Sequence, residues 1–459
     1  MDILLSHAYV LADDPVELRV MKPYSPLGIL SIAAYLDSRG FDTGVFDTTF
    51  GSLDDFAHRL DQDRPGAVGI YVNMMTKFAA LRMVAAAKSR GIFVILGGPE
   101  PAYYAEEFLR SGADVVVIGE GEETLDELLR LPRRDQGTLG TVAGIVFLNG
   151  QALAHRTPPR ALIKDIDLLP MPDRSRISLD AYASAWRKRH GYFSLSLISM
   201  RGCPFTCAWC SHGVYGESYR RRSPRLVVEE ISFLQQRYAP DAFWIADDVF
   251  TINHRWLSGF EREIAARNVR MRYECISRAD RLNEEVLRTL KATGCTRLWI
   301  GSESGSQRIL DAMSRGVRVE QVQEMTRQAR RLGIEVGMFI MLGYTGETRR
   351  DIEETVRHVR RARPDIVLPT VAYPIRGTAF YEESRGDLIM PELPFAEWND
   401  RMIDIAGRFS RRFYWFANRR IINEAAWRRE LEAGPAGVAR ASRSLAKAKA
   451  AQLGMLLTK

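Results

Sequence analysis

The sequence predicts an α/β protein: an N-terminal doubly wound (Rossmann-like) domain, a partial (β/α)6 barrel, and a helical C-terminal segment. Two series of short apolar runs alternate with helix-like stretches, which is typical of parallel sheets covered by helices. At 459 residues the chain exceeds one ordinary domain. After about residue 390 the strand pattern stops. We therefore predict segments at 1–133, 134–190, 191–390 and 391–459.

The first series predicts the N-terminal sheet. Strands are expected at 3–5, 45–46, 68–71, 93–96 and 115–118, with helices at 28–38, 76–89 and 123–130. In such open sheets, ligands bind beyond the carboxyl ends of the strands. Those ends carry Asn73-Met74-Met75-Thr76, Gly97-Gly98 and Gly119-Glu120-Gly121. Glycines there would let the backbone closely approach a large flat or phosphorylated ligand.

Segment 134–190 reads as a linker with a hairpin. An apolar run at 145–147 is followed by Asn149-Gly150, a pair that suits a tight type I′ turn. Prolines at 158, 159, 170 and 172 then stiffen the path to the next domain.

The second series predicts the barrel. Strands are expected at 194–200, 242–245, 270–276, 296–300, 335–341 and 366–371, and helices at 226–238, 283–293, 319–332 and 348–362. Six strand–helix repeats indicate an incomplete (β/α) barrel, in which the chemistry would lie at the carboxyl ends of the strands.

Composition excludes several classes of protein. Hydrophobic residues make up 46% and charged residues 26%, as in globular chains. No apolar stretch reaches the roughly 18 residues that a membrane span needs, and the N-terminus lacks the features of a signal peptide. We expect a cytoplasmic protein. The net charge is +7, but no aromatic RNA-binding pattern accompanies it, so no nucleic-acid partner is expected.

Three of the five cysteines lie within eight residues. Cys203, Cys207 and Cys210 have the spacing Cys-x3-Cys-x2-Cys after the first predicted barrel strand. Thiolates are soft ligands that suit iron–sulfur clusters, and three ligands leave one iron of a four-iron cluster open for catalysis. A structural zinc site with His212 as fourth ligand is the alternative. Cys275 and Cys295 fall in predicted strands, where buried structural thiols are expected.

The cysteine motif, with Trp209 just before its third cysteine, resembles the radical S-adenosylmethionine (SAM) superfamily. The resemblance implies a [4Fe-4S] cluster on Cys203, Cys207 and Cys210, whose open iron chelates SAM. It also implies an external one-electron donor of flavodoxin or ferredoxin type and a 5′-deoxyadenosyl radical that takes hydrogen from a small-molecule substrate.

Later segments resemble the same superfamily and occur in its order. Gly301-Ser302-Glu303-Ser304-Gly305 resembles the segment beside the ribose and methionyl group of SAM. Glu303 could accept a hydrogen bond from SAM, and the alternative is that it caps the next helix. Arg278, after the third predicted barrel strand, could pair with the carboxylate of SAM, and the alternative is a surface salt bridge. The SAM-binding residues implied are Trp209, Arg278, Ser302, Glu303, Met341 and Tyr373.

The first domain resembles the cobalamin-binding domain attached to one large radical SAM class. It lacks the Asp-x-His-x-x-Gly motif whose histidine ligates cobalt, so the resemblance implies base-off cobalamin without a histidine ligand. The alternative is a degenerate domain that binds no corrinoid. The cobalamin-binding residues implied are Pro26, Leu27, Gly28, Asn73, Met74, Met75, Thr76, Gly97, Gly98, Gly119, Glu120 and Gly121.

This class (class B radical SAM methyltransferases) implies methylation of an unactivated carbon of a small molecule, with cobalamin as methyl carrier. Relatives of similar layout perform oxidative cyclisation, as in anaerobic magnesium-protoporphyrin monomethyl ester cyclase, or rearrangement. A tRNA thiomethylase is disfavoured because no cysteine precedes Cys203. A non-catalytic zinc protein ranks last.

Overall fold

The computed structural model describes residues 1–458. The chain forms two compact units. The first unit contains residues 1–204, 211–241 and 391–402, and the second contains residues 205–210, 242–390 and the described residues from 403 onward. The four predicted segments remain a prediction about domains.

A seven-stranded sheet forms the centre of the first unit. Its strand order is β2-β1-β3-β4-β5-β6-β7, parallel from β2 to β5 and antiparallel from β5 onward. The direction of strand succession reverses between β1 and β3, which is where open α/β sheets bind ligands. The strands are β1 (Ile3–His7), β2 (Thr43–Phe46), β3 (Ala67–Tyr71), β4 (Phe93–Gly97), β5 (Val115–Val117), β6 (Ile145–Leu148) and β7 (Ala154–Arg156). The predicted doubly wound sheet is confirmed.

The hairpin between β6 and β7 exists, but the predicted type I′ turn is wrong. Five residues separate the strands, and Gly150 is not among the residues with positive φ, whereas Ala152 has φ 56°. The Asn149 side chain accepts hydrogen bonds from the backbone N–H groups of Gln151 and Leu153. Asparagine here stabilises a wider loop by bonding its own backbone.

Helices cover both faces of this sheet with apolar residues. On one face Phe56 and Leu60 of α3 and Met83 and Val84 of α4 pack against Val68 of β3. The other face is covered largely by α2 and α7. The helices of this unit are α1 (Pro15–Val20), α2 (Leu27–Ser38), α3 (Leu53–Asp63), α4 (Lys77–Lys88), α5 (Pro99–Tyr103), α6 (Ala105–Arg110), α7 (Glu122–Arg130), α8 (Gln136–Leu139), α9 (Leu179–His190) and α10 (Pro224–Tyr238).

All six strands predicted for the second series are present. The first is β8 (Ser194–Leu197), and the short strands β9 (Met200–Arg201) and β10 (Arg220–Arg221) follow it. Five parallel strands belong to the second unit, and neighbours in sequence pair with each other. They are β11 (Ala242–Ile245), β12 (Tyr273–Ser277), β13 (Cys295–Glu303), β14 (Glu335–Leu342) and β15 (Ile366–Val371). Cys275 and Cys295 are buried in these strands, as predicted.

Helices alternate with these strands and then continue alone. The C-terminal part is helical as predicted, apart from the short antiparallel pair β16 (Leu388–Ile389) and β17 (Asp404–Ile405). No helix within residues 1–458 combines the length and the apolar character that crossing a membrane requires. The helices are α11 (His254–Ala266), α12 (Glu284–Ala292), α13 (Gln307–Ala312), α14 (Val319–Arg331), α15 (Arg349–Ala362), α16 (Ala379–Glu383), α17 (Arg411–Glu432) and α18 (Val438–Leu457).

Candidate functional site

The central cysteine of the motif is held deep in the second unit. Cys207 is buried, Cys203 is half-exposed and Cys210 is exposed, and none of the three forms a disulfide. The backbone beside Cys207 is fixed at two points: Ala208 N–H donates to the Met313 carbonyl, and the Ala208 carbonyl accepts from Phe380 N–H. The loop therefore presents the Cys207 sulfur in one defined position.

Two guanidinium groups face that sulfur. Arg278 Nη1 and Arg315 Nη1 lie 3.4 and 3.5 Å from Cys207 Sγ. Both arginine side chains are almost fully buried. Two buried positive donors beside a sulfur ligand would offset the negative charge of a cluster held by cysteine thiolates. The donor set and its charge therefore fit an iron–sulfur cluster. Among residues 1–458, no group of three or more His, Cys, Asp or Glu side chains is already arranged to hold a single metal ion.

Arg278 is a buried residue rather than a surface one. It forms an ion pair with Asp280 at 2.9 Å and donates from Nη2 to the Arg315 carbonyl at 2.6 Å. Its guanidinium also lies over the Phe205 ring, 3.7 Å from the centroid. The salt bridge of the alternative interpretation exists, but it is buried and not on the surface. Arg315 was not predicted at all.

Glu303 sits at the end of β13 in an unusual backbone conformation. Its φ is 61°, a left-handed value that is strained for a residue with a side chain and that often marks functional sites. The pairing of β13 with β14 shifts register between Gly301 and Glu303. Burial raises the pKa of the Glu303 carboxyl, opposed by the charges of Arg315 and Arg278. The residue that caps α13 is Ser306, so the helix-capping alternative for Glu303 does not apply.

The other predicted SAM residues lie in the same unit. Ser302 Oγ is 2.9 Å from His358 Nε2, and burial lowers the pKa of that histidine to about 4. Trp209 and Met341 pack against one apolar cluster that includes Ala372. Tyr373 is half-buried and directly follows Ala372 in the chain. A charged group around Arg315 and an apolar group around Trp209 are therefore present, as a nucleoside with an amino-acid tail would need.

The first unit contains a cavity at the carboxyl ends of its parallel strands. Its enclosed volume is about 160 Å³, and it opens to solvent. Its wall includes Leu5 of β1, Tyr71 of β3, Ile95 of β4 and Val117 of β5. Six glycines also line it: Gly28, Gly69, Gly97, Gly98, Gly119 and Gly121. At the strand ends the ligand space is bounded by bare backbone, which fits a large flat corrinoid ligand.

Gly98 shows why the backbone is bare there. Its φ is 109°, and a Cβ at this position would lie 2.4 Å from the Val72 carbonyl oxygen. Only glycine allows β4 to turn this closely past the chain that leaves β3.

The predicted cobalamin residues divide into two groups. Leu27, Gly28, Gly97, Gly98, Gly119, Glu120 and Gly121 line the cavity, whereas Pro26, Asn73, Met74, Met75 and Thr76 do not. Asn73 accepts hydrogen bonds from the backbone N–H groups of Met75 and Thr76, so the loop after β3 is closed on itself. Sequence reasoning missed Tyr71, Arg201 and Tyr215, which also line the cavity.

The cavity lining includes no histidine. The buried His7, at the end of β1, bonds Asp47 at 2.8 Å through Nε2 and so has a structural partner.

Comparison with protein families finds two matches. Residues 18–129 match the B12 binding domain and residues 197–359 match the Radical SAM superfamily. These matches confirm the predicted cofactors: a [4Fe-4S] cluster, SAM and cobalamin.

Three relatives illustrate the range of reactions. An uncharacterized methyltransferase of Pyrococcus horikoshii is 29% identical over 78% of this chain and 78% of its own length. The anaerobic magnesium-protoporphyrin IX monomethyl ester cyclase of Cereibacter sphaeroides is 28% identical over 78% of this chain and 59% of its own length. The hopanoid C-3 methylase of Methylococcus capsulatus is 28% identical over 84% of this chain and 73% of its own length.

A solved structure shares the fold. The radical SAM methyltransferase TsrM of Kitasatospora setae, with cobalamin and a [4Fe-4S] cluster bound, superposes with a TM-score of 0.69 at 18% identity. The superposition covers 88% of this chain and 80% of TsrM. The predicted fold class is therefore confirmed.

Proposed function

We propose that this chain, a radical SAM enzyme with a B12-binding domain, transfers a methyl group from cobalamin to an unactivated carbon of a small molecule. The observation that carries the proposal is the glycine-lined cavity of the first unit, where the carboxyl ends of the strands offer the bare backbone that a corrinoid needs for close approach. Methylation is favoured because two of the three relatives described above are a methyltransferase and a methylase.

The residues of the second unit would prepare the radical step. Cys203, Cys207 and Cys210 would hold the cluster, and Arg278 and Arg315 would stabilise the thiolate of Cys207. Glu303 would accept a hydrogen bond from the ammonium or ribose hydroxyls of SAM. When bound, the cluster and SAM supply a 5′-deoxyadenosyl radical and cobalamin supplies the methyl group. The protein positions these groups and excludes water.

In the first unit, Leu27, Gly28, Gly97, Gly98, Gly119 and Gly121 would contact the corrinoid through backbone and apolar surface. The loop Asn73-Met74-Met75-Thr76 lies outside the cavity lining, so no contact with the corrinoid is proposed for it. An external flavodoxin or ferredoxin would supply the electron. A cytoplasmic location belongs to the proposal, because cysteines that form no disulfide suit a reducing compartment.

An oxidative cyclase is the second candidate, and the similarity to the Cereibacter sphaeroides cyclase favours it. The two functions differ in the fate of the SAM methyl group. A methyltransferase consumes one SAM as methyl donor, whereas a cyclase leaves that methyl group on methionine.

The test uses anaerobically reconstituted protein with hydroxocobalamin, a titanium(III) reductant and SAM carrying a deuterated methyl group. We expect iron and cobalt to be retained, and labelled methylcobalamin and S-adenosylhomocysteine to form without added substrate. Retention of both metals without labelled methylcobalamin would favour the cyclase. Zinc in place of iron would contradict both functions.

A further inference from the structure

We propose that Glu120 and Glu122 are positioning residues: they hold together the two short strands, β9 and β10, at the base (the neck) of the loop that carries the three cysteines. Glu120 is then not a corrinoid ligand. The inference rests on the proposed function, since it assigns these carboxylates to the loop that holds the cluster. Both belong to the Gly119-Glu120-Gly121-Glu122 segment, which follows β5 and ends at the first residue of α7. The cysteine loop is the chain between β9 and β10 and contains all three cysteines.

A two-residue ribbon forms the neck of the cysteine loop. Strands β9 and β10 pair in antiparallel fashion, with Arg201 directly opposite Arg220. Just inside the ribbon, Gly202 has φ 83°, and a Cβ there would lie 2.5 Å from the Ser218 carbonyl oxygen. The two ends of the loop therefore approach as closely as glycine permits.

The ribbon alone would be unstable because like charges face each other. Directly opposite residues of an antiparallel pair project to the same side, and like charges in such positions destabilise the pair. The side chains of Arg201 and Arg220 are only 13% and 11% exposed, so solvent screens them poorly. A compensating anion is needed at this neck.

Glu120 provides that anion. Its Oε1 accepts from Arg201 at 2.7 Å and its Oε2 accepts from Arg220 at 2.6 Å. The Ile163 N–H also donates to Oε2, at 2.8 Å. With 3% of its side chain exposed, the carboxylate is committed to these three donors. It bridges the two strands that begin and end the loop.

Glu122 strengthens the same contact from the first turn of α7. Its Oε1 accepts from Arg201 Nη2 at 2.5 Å, so Arg201 is held by two carboxylates. Tyr215 lies over Arg201 and Arg220, with its ring centroid 5.6 and 5.9 Å from the two guanidinium carbons. Since Glu120, Glu122, Arg201 and Tyr215 all line the glycine-rich cavity, the neck forms part of its wall.

The experiment compares Glu120→Gln and Arg201→Lys with the wild type, all as anaerobically reconstituted full-length protein. Glu120→Gln removes the bridging charge, whereas Arg201→Lys alters the neck and leaves Glu120 intact. The readouts are the rate of iron release to a chelator, the electron paramagnetic resonance spectrum of the reduced cluster, and the dissociation constant for hydroxocobalamin. Glu123→Gln is the matched control. Glu123 lies in the first turn of α7 beside Glu122, but its side chain is 45% exposed and its ion pair with Arg160 is long, at 3.7 Å.

We expect both variants to release iron at least about fivefold faster and to change the cluster spectrum, with hydroxocobalamin affinity within about twofold of wild type. The control should match wild type in all three readouts. Wild-type iron release in Arg201→Lys would overturn the proposal, whatever Glu120→Gln does. Loss of hydroxocobalamin affinity in Glu120→Gln with normal iron release would also overturn it. If the wild type retains neither iron nor cobalt, the proposed function fails instead.

If Glu120→Gln does not fold, Arg201→Lys and Glu122→Gln decide the question. Faster iron release in both supports the proposal, and normal release in either contradicts it.

Discussion

The surroundings of Cys207 in the second unit and the cavity in the first unit are built in opposite ways. Around Cys207 the chain places large charged side chains out of water: Arg278, Arg315 and Glu303. Where the strands of the cavity end, it removes side chains, because glycines end or follow β4 and β5, while charged residues such as Glu120 and Arg201 line another part of the wall. One site acts through what its side chains supply, and the other through the space that missing side chains leave.

The difference follows from what each site would bind. A thiolate and the charged tail of SAM are small polar groups that are held by donors and acceptors at fixed positions. A corrinoid is large and flat, so its affinity depends on close approach to backbone over a wide area. Truncating a side chain should therefore damage the first site, whereas adding one should damage the second.

The largest effect should come from replacing a cluster ligand. Cys207→Ser removes the only buried thiol of the motif, and we expect loss of the brown absorbance and of activity by about 10³-fold or more, because the cofactor carries the chemistry. Iron analysis and the visible spectrum measure the loss. Cys295→Ser, in a buried strand position outside the motif, should keep its iron. Normal iron in Cys207→Ser would contradict the cluster assignment.

The reverse operation tests the cavity. At Gly97 a Cβ would have its nearest neighbour 4.0 Å away, at Val117 Cβ, so the fold has room for a side chain. Gly97→Val would fill ligand space, and we expect hydroxocobalamin to bind about 5- to 150-fold more weakly, the equivalent of 1–3 kcal/mol of overpacking. Equilibrium dialysis measures the dissociation constant.

Gly97→Ala should have a smaller effect than Gly97→Val, and iron retention should be normal in both. Gly51→Ala, which adds a methyl group outside the cavity lining, is the control. If Gly97→Val binds the corrinoid as tightly as wild type, the cavity is not its site.

The alternation of strands and helices was predictable because it is local. Every predicted strand is present, since short apolar runs are strong signals when both faces of a sheet are covered. Several helices were missed, among them α3, α9 and α11; α3 buries only Phe56 and Leu60 in a stretch of mostly polar residues. The type I′ turn failed because the Asn149 side chain satisfies backbone N–H groups in a longer loop.

The site was predictable only in part. The cysteines, Glu303 and the glycine loops belong to short motifs, so the sequence shows them directly. Arg315 and Arg201 carry no such signal, because their roles depend on partners far away in sequence. Arg315 is 108 residues from Cys207, and Arg201 is 81 residues from Glu120. Only the fold shows which of many arginines is buried beside a particular acceptor.

A third test concerns the buried carboxyl group of Glu303. We expect Glu303→Gln to weaken SAM binding by roughly tenfold, since a hydrogen bond to a charged group contributes about 1.5 kcal/mol or more. Burial raises the pKa of Glu303 above its ordinary 4.5, so the proton is retained to higher pH. SAM affinity should therefore rise with pH as the carboxylate forms, and the glutamine variant should lack this rise.

Titration calorimetry with SAM at several pH values measures both effects. Hydroxocobalamin binding should not follow the same pH profile in either protein, because the predicted contacts of the cavity are backbone and apolar groups. If SAM and hydroxocobalamin binding shared one pH profile, the contrast between a site built on charged side chains and a site built on bare backbone would be wrong.

The smallest effect is expected when a positive charge beside Cys207 is removed while all three cysteines are kept. Arg315→Gln removes one of the two positive donors to the sulfur but leaves Arg278 in place. A nearby positive charge favours the reduced, more negative cluster, so its loss should lower the reduction potential by about 30–60 mV, where 59 mV is tenfold for a one-electron couple. Arg308→Gln is the control, since this arginine of the same unit is 57% exposed and pairs with Asp351. Redox titration should leave the control at the wild-type potential. An unchanged potential in Arg315→Gln would show that Arg315 only packs beside Cys207, and the charged character of this site would then rest on Arg278 alone.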